Sequence, residues 1–253
     1  MLLLAVGAVM TLSACSEMRE VKTAFVGEDS DSIVTQNRKV DKFVAIRIDG
    51  SPTVVYEQGI ETKVRVEGGK KYADNIETFV DDGVLVVRHR KNSFNIFTNM
   101  RKGTSPVVYV TSPDLVAVKL SGSGDFVCEG PLDTDKLHVL LSGSGDVDFK
   151  GAVLCDTVNV VLRGSGDVDI ENVDAMSSFI QLVGSGDIEV KQKNVNATDI
   201  KLVGSGDIKV DMNNCRDVDC NIAGSGDITL RGNIKGRLNK AKAGSGDYHL
   251  ELY

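Results

Sequence analysis

A four-residue motif, Gly-Ser-Gly-Asp, recurs seven times in this 253-residue chain at a nearly constant interval. Successive motif aspartates lie 21 residues apart in the first two steps and 20 apart in the next four. A fixed period of about 20 residues is typical of a solenoid, in which each repeat stacks on the one before it. The motifs end at Asp125, Asp146, Asp167, Asp187, Asp207, Asp227 and Asp247.

Alternating apolar and polar residues on both sides of each motif predict two short strands per repeat. Val160 and Leu162 precede one motif, and Val168 and Ile170 follow it with the charged Asp169 between them. This alternation gives each strand one buried face. No helical pattern of crossover length separates the strands, and a propeller blade needs about 40 residues. The sequence therefore predicts an all-β fold, a parallel β-helix with Gly-Ser-Gly-Asp corners that is right-handed by the general crossover rule.

The boundaries follow from where the repeats begin and end. In the last repeat Lys240 and Lys242 occupy columns that are apolar elsewhere, which predicts a capping rung with a polar face. We expect a rod of roughly ten rungs, about 45–50 Å long at the usual strand spacing. The predicted regions are a signal peptide (1–14), a polar tether (15–39) and a single β-helix domain (40–253), with irregular coils over 40–120 and regular repeats over 121–253.

The N-terminal segment predicts export. Its apolar run is too short to span a bilayer but suits a secretion signal, and it ends in Leu12-Ser13-Ala14-Cys15, which looks like a lipobox. Cleavage before Cys15 would let its sulfur carry the acyl anchor that attaches the chain to a membrane. Ser16, rather than Asp, follows and favours the outer membrane or cell surface. The alternative is a plain signal peptide. Because no Lys or Arg precedes the apolar run, we expect the true start to lie upstream.

Composition argues against several classes of function. The net charge of −7 offers no basic stripe, so we expect no nucleic-acid partner. The chain has no nucleophile elbow, P-loop or dinucleotide fingerprint, and its three histidines (His89, His138 and His249) have no metal-like spacing. We therefore expect no cofactor, no metal site and no enzyme activity.

Four cysteines lie within the predicted fold. Cys155 and Cys215 share a loop column but sit three rungs apart, roughly 14 Å by strand spacing. A disulfide needs Cα atoms within about 7 Å. We expect reduced cysteines, with Cys128 and Cys220 acting as small core residues.

The column of motif aspartates has two interpretations. In the structural one, both glycines supply positive φ at a corner, and the Ser and Asp side chains accept backbone N–H groups there. In the functional one, stacked carboxylates repel one another and bind a weak column of cations such as Ca²⁺. Seven identical motifs favour the structural interpretation, because an active site normally brings different residues together.

A second carboxylate column gives the enzyme alternative. Asp148 and Asp169 lie in one outward column with Glu189 nearby, and a pair of carboxylates can hydrolyse a glycosidic bond. Lys209 continues the same column, which indicates an ordinary solvated face instead.

The lipobox, "FVAIRIDGSPTVVYEQG", "ADNIETFVDDGVLVV" and the junction "TSPDLVAVKLSGSGDF" together resemble a bacterial family described as putative auto-transporter adhesin, head GIN domain. The resemblance covers about residues 40–253. It implies an exported, surface-associated β-helical protein and supplies no catalytic residues. We thus expect a non-catalytic cell-envelope lipoprotein that binds a glycan or a protein partner. The alternatives are a structural envelope component and a glycan-active lyase or glycosidase, and self-association of the rods is left open.

Overall fold

The computed structural model describes residues 32–91 and 105–253. These residues are nearly all β, with one short helix, α1 (Lys70–Ala73), and their stacked parallel strands form a β-solenoid of about seven turns. Each regular rung contains about 20 residues, which confirms the predicted β-solenoid. The predicted signal peptide and Cys15 lie outside the described residues.

The strands that precede each motif build one side of the solenoid, the leading face. They pair in parallel and in register, so Val160 lies beside Ile180 and Ile180 beside Ile200. The strands confined to this face are β2 (Ala45–Gly50), β6 (Val84–His89), β8 (Ala117–Gly122), β11 (Lys136–Gly143), β15 (Ala197–Gly204), β17 (Asp217–Gly224) and β19 (Leu238–Gly244).

The strands that follow each motif build the trailing face, and the variable segments between the two faces form a third side. Two long strands, β12 (Asp146–Gly164) and β13 (Asp167–Gly184), run through all three sides, and the short β10 (Leu132–Asp133) lies on the third. The strands confined mainly to the trailing face are β3 (Thr53–Gln58), β7 (Val107–Ser112), β9 (Asp125–Cys128), β14 (Asp187–Lys193), β16 (Ile208–Cys215), β18 (Ile228–Ile234) and β20 (Tyr248–Leu252).

Alternate residues of both faces point inward and form one continuous core. Leu162, Leu182 and Leu202, for example, stack in register and are fully buried. Burying one such side chain contributes about 1.5–3 kcal/mol before chain entropy is counted. Cys128 and Cys220 lie in these inward columns, as predicted.

The first rungs do not follow chain order. Strand β2 pairs with β6 on one side and β8 on the other, and β3 lies likewise between β7 and β9. The segment Gly50-Ser51-Pro52-Thr53 therefore forms the corner of the rung that stacks against the first Gly-Ser-Gly-Asp corner. The Thr53 hydroxyl donates to Asp125 Oδ2 across these two rungs at 3.3 Å. From residue 40 we expected rungs that stack in chain order, and the structure differs. Strands β2 and β3 form the second rung and β6 and β7 form the end rung, after which β8 and β9 lie on the other side of the second rung.

Antiparallel strands cover the N-terminal end. Strand β4 (Lys63–Gly69) pairs antiparallel with β7 and with β1 (Ile33–Arg38), while β5 (Ile76–Asp81) pairs antiparallel with β6. These strands do not add parallel rungs, so the solenoid has about seven turns rather than the ten expected. Strand β1 also lies in the segment that we expected to be tether, because its alternating residues complete the edge of this sheet.

The C-terminal rung differs from the others in the residues of its inward columns. Lys240 and Lys242 align with Cys220 and Ile222 of the preceding rung and are exposed. The ring of Tyr248 lies 5.3 Å from Lys240 Nζ, and its hydroxyl hydrogen-bonds the carbonyl of Ala241 at 2.6 Å. These contacts place polar groups over the last core layer.

Candidate binding groove and the aspartate ladder

The motif aspartates form a ladder of hydrogen bonds along the rod. In five of the six steps, those from Asp146 to Asp247, the backbone N–H of one aspartate donates to Oδ1 of the aspartate one rung earlier. The donor-to-acceptor distances are 3.3 Å for Asp167 to Asp146, 3.0 Å for Asp187 to Asp167, 3.0 Å for Asp207 to Asp187, 2.8 Å for Asp227 to Asp207 and 2.7 Å for Asp247 to Asp227. Asp125 starts the column with its bond from Thr53. The carboxylates from Asp146 to Asp227 therefore each tie one corner to the next.

Both glycines of the motif lie against the backbone of the adjacent rung, and only the first also has an unusual dihedral. The first has positive φ, as at Gly204 with φ of 135°. The second, such as Gly206, does not, so the prediction of positive φ at both glycines is wrong for this one. A Cβ on Gly206 would instead overlap the carbonyl oxygen of Gly186 in the adjacent rung. Close backbone approach, rather than an unusual dihedral, excludes a side chain there.

The environment of the ladder favours ionised carboxylates at its C-terminal end. The backbone N–H of Asp247 and, second, the side chain of His249 hold the pKa of Asp227 below its ordinary value. Nε2 of His249 lies 3.0 Å from Oδ2 of Asp227. Among the described residues, no group of three or more His, Cys, Asp or Glu side chains is arranged to hold a metal ion.

The second carboxylate column lies on the trailing face in the predicted register. Asp148 pairs with Asp169, Asp169 with Glu189, and Glu189 with Lys209. Partial burial, more than neighbouring charge, raises the pKa of Asp148 and of Asp169. Lys209 Nζ lies 2.6 Å from Glu189 Oε1, so the column ends in an ion pair. Each member repeats the position of its neighbour one rung away, and the acids do not converge on a common point.

Of the histidines, His138 is exposed on the leading face in register with Asn159. His89 contacts Ser51, with 3.0 Å between Nε2 and Oγ. The cysteines of the described chain are free and buried at Cys128, Cys155, Cys215 and Cys220.

An open groove of about 1080 Å³ lies where the trailing face meets the third side near the C-terminal end. We call it the corner groove. Its wall includes one outward column of alternating charge, formed by Lys191, Asp211, Arg231 and Glu251 of four successive rungs. Exposed amides of Asn213 and other asparagines line the rest. Neither the alternation nor the Gly-Ser-Gly-Asp motif predicts this groove.

Irregular backbone creates the corner groove. The pairing of β16 with β18 shifts register between Met212 and Cys215, and such bulges bend a strand and re-aim its side chains. Asn194 and Asn214 both have left-handed φ, at 61° and 60°, which asparagine tolerates better than most residues. Asn214 Nδ2 donates to Asn194 Oδ1 at 2.8 Å, so the turns are joined across rungs. The recurrence of Asn at these two positions is the sequence signal for this corner.

The cations of the corner groove differ in their partners. Arg231 Nε lies 2.8 Å from Glu251 Oε2, and Lys193 Nζ lies 3.6 Å from Asp174 Oδ2. Lys191 and Lys235 are exposed and form no ion pair within the described ranges. The lining contains four cations and two acids, which makes it locally positive on a chain of net charge −7.

Comparison with solved structures shows the same fold in bacterial proteins described as putative adhesins and as a putative lipid binding protein. A crystal structure of a putative adhesin from Bacteroides fragilis NCTC 9343 matches with a TM-score of 0.76 and 26% identity, covering 87% of this chain and 98% of that one. A putative adhesin from Parabacteroides distasonis ATCC 8503 matches with a TM-score of 0.68 and 21% identity, over 87% of this chain and 97% of that one. A putative lipid binding protein from the same strain matches with a TM-score of 0.65 and 22% identity, over 86% and 96%.

The match to a protein-family model agrees with this result, although no curated protein matches the chain. The family model described as putative auto-transporter adhesin, head GIN domain, matches residues 42–233 and, in a second overlapping match, residues 176–251. These matches cover most of the described solenoid, so the chain belongs to the family described as putative auto-transporter adhesin, head GIN domain.

Proposed function

We propose that the chain is an exported, lipid-anchored envelope protein whose rigid solenoid binds a glycan or protein partner at a surface. The observation that carries this proposal is the match to the putative adhesin from Bacteroides fragilis over 87% of this chain and 98% of that one. The fold supports it because outward columns present charged and polar side chains in register from rung to rung. Binding through such a surface sums many weak contacts on a preformed scaffold, which lowers the entropic cost of association.

The anchor rests on the Leu12-Ser13-Ala14-Cys15 segment, which lies outside the described residues. No helix in the described part of the chain is long and apolar enough to cross a membrane. We propose acylation of Cys15 and location at the outer membrane or cell surface. Mass spectrometry of the N-terminal peptide from membranes should show a diacylated Cys15, and Cys15→Ala should release the chain from the membrane fraction. An unmodified Cys15 in membrane-extracted protein would overturn this part of the proposal.

We propose a non-catalytic role and assign the ladder aspartates to the scaffold. Every ladder carboxylate from Asp146 to Asp227 already accepts a backbone N–H, which gives the column a structural purpose in each rung. Asp148 and Asp169 are neighbours because the rungs stack, and the same stacking puts Lys209 in their column. A glycan-active enzyme would need a different set of groups around one bond.

A glycan array tests the binding proposal directly. The full chain in mild detergent is applied with Ca²⁺ and with EDTA, and bound glycans are afterwards checked for new reducing ends. Specific binding that survives EDTA without cleavage is the expected result. A loss of binding in EDTA would indicate that the aspartate ladder binds Ca²⁺. New reducing ends would favour the enzyme alternative. Absence of binding in both conditions would contradict glycan recognition and favour a structural envelope role.

A further inference from the structure

We propose that the corner groove binds a linear acidic glycan that runs along the rod with one sugar unit per rung. The inference rests on the proposed binding function and adds the place and the chemical class of the ligand. Three properties of the groove support it: its repeat distance, its unpaired cations and its amide-rich lining.

The repeat distance matches a sugar chain. The groove residues Lys191, Asp211 and Arg231 come from consecutive rungs of parallel strands, and such strands are spaced about 4.8 Å apart. This spacing is close to the length of one pyranose unit in an extended glycan. A chain of sugars lying along the rod would therefore meet one side chain of this column at every unit, with the sign of its charge alternating from rung to rung. Transverse binding would use only one rung and would leave most of the groove empty.

The charges select an acidic ligand. Lys191 lies next to Asp211 in register but forms no ion pair with it or any other described residue, and Lys235 is also without one. Both ammonium groups are exposed at the groove, whereas Arg231 is held by Glu251. Lys191 and Lys235 belong to rungs that are two apart, because β16 lies between β14 and β18, so these available cations fit carboxylates on two sugars separated by one unit. A charge-assisted hydrogen bond to a carboxylate is stronger than one to a neutral hydroxyl.

The amides fit the hydroxyl groups between those carboxylates. Asn213 is exposed and its side chain makes no hydrogen bond with a described residue, so its amide can both donate and accept. Asn214 is fixed through its Nδ2 on Asn194, which leaves its own Oδ1 as an oriented acceptor. In the described chain, Tyr253 is the one aromatic residue that lines the groove. Polar recognition therefore outweighs the stacking on aromatic rings that many neutral sugars require.

The test measures binding of fluorescent hexasaccharides to the full chain in detergent. The acidic probes are hexamers of galacturonate, of mannuronate and of hyaluronan, and the control ligand is the methyl ester of each. The groove variant is Lys191→Gln with Lys235→Gln, and the control variant is Lys119→Gln, an exposed lysine on the leading face. Circular dichroism confirms that both variants are folded.

We expect at least one acidic hexamer to bind, with an affinity about tenfold lower for its methyl ester and for the double variant, which is the size of one charged hydrogen bond. Binding should weaken at about 0.5 M salt, because exposed charges are screened. The control variant should match the parent. Equal binding of ester and acid, or a double variant that binds like the parent, would overturn the inference while leaving the wider binding function in place. If the array detects bound glycans but no acidic hexamer binds, the acidic-glycan inference is wrong and the wider binding function stands. If the array also shows no bound glycan, both the inference and the proposed glycan binding are wrong.

Discussion

Asp227 Oδ1 accepts the backbone N–H of Asp247 at 2.7 Å, and Oδ2 of the same carboxylate lies 3.0 Å from Nε2 of His249. One side chain thus binds two groups of the following rung. The first of these bonds recurs down the column, whereas the second depends on the histidine of the last rung. The repeated bond supplies a physical reason for an aspartate at every corner, without any ligand.

Removing a ladder carboxylate should therefore destabilise the solenoid locally. Asp207→Ala leaves the backbone N–H of Asp227 without its acceptor at 2.8 Å, and we expect a loss of about 1 kcal/mol in the free energy of unfolding. Asp207→Asn keeps an amide oxygen at the same place and should retain most of the stability. Urea unfolding followed by circular dichroism measures both.

The matched control for this series is Asp156→Ala, an exposed carboxylate to which no described residue donates a hydrogen bond. It should change the urea midpoint little. Addition of Ca²⁺ should leave the parent midpoint unchanged. A Ca²⁺-dependent increase in the parent that disappears in Asp207→Ala would instead show that the column binds cations.

Glycine at the second motif position should tolerate no side chain. In Gly206→Ala the new Cβ meets the backbone carbonyl of Gly186, which cannot move without separating two rungs. We expect a loss of about 2 kcal/mol or more, as for other overpacked sites. At Gly130, whose φ is not positive, a Cβ would find its nearest neighbour 3.6 Å away, so Gly130→Ala is the control. Equal midpoints for the two variants would contradict the close-approach argument.

The regular repeats could be predicted from sequence because local pattern and long-range pairing agree there. Alternation identifies Val190 as inward, and the fixed period identifies Val210 as its neighbour in the next rung. In the N-terminal part, local alternation no longer predicts the long-range pairing of the strands. Thr53 and Asp125 are adjacent in space but 72 residues apart in the chain. Alternation still marks the strands, but it does not say which strand pairs with which.

The corner groove escaped prediction for a related reason. Its shape depends on a register shift after Met212 and on left-handed backbone at Asn194 and Asn214, and neither follows from alternation. The segment "KQKNVNA" (191–197) is mostly polar, which is typical of a loop. In the structure Gln192 points inward, where its Nε2 donates to the buried Thr198 hydroxyl at 2.8 Å. Because a polar residue occupies a core column at this point, the alternation of apolar residues does not show that the strand continues.

Stability should depend on pH in opposite directions at two carboxylates. Burial raises the pKa of Asp169 above its ordinary value of 3.8. The folded state then binds the proton more tightly than the unfolded state, so the ionised group destabilises the fold at neutral pH. This cost disappears as the pH falls below about 3.8, the unfolded value. Asp169→Asn should raise the stability at neutral pH by less than about 1 kcal/mol, since the group is partly exposed, and should have no effect in acid.

Asp217 provides the comparison of opposite sign. The backbone N–H of Arg237 lowers the pKa of Asp217, so its ionised form stabilises the fold above the unfolded pKa and that contribution is lost in acid. Asp217→Asn should lower the urea midpoint at neutral pH and converge with the parent at low pH. Two variants that shift in the same direction at neutral pH would contradict these assignments.

The core cysteines should resist alkylation while the solenoid is folded. Burial raises the pKa of both Cys128 and Cys220 to about 12 and that of Cys155 to about 11, so at about pH 8 almost none of these thiols is a reactive thiolate. We expect iodoacetamide to label them at the rate of unfolding, and rapidly in urea. Peptide mass mapping separates them from Cys15 and gives each rate. Rapid labelling of Cys220 in the native protein would mean that the rungs at the C-terminal end open readily, and it would contradict the assignment of the last rung as a stable cap.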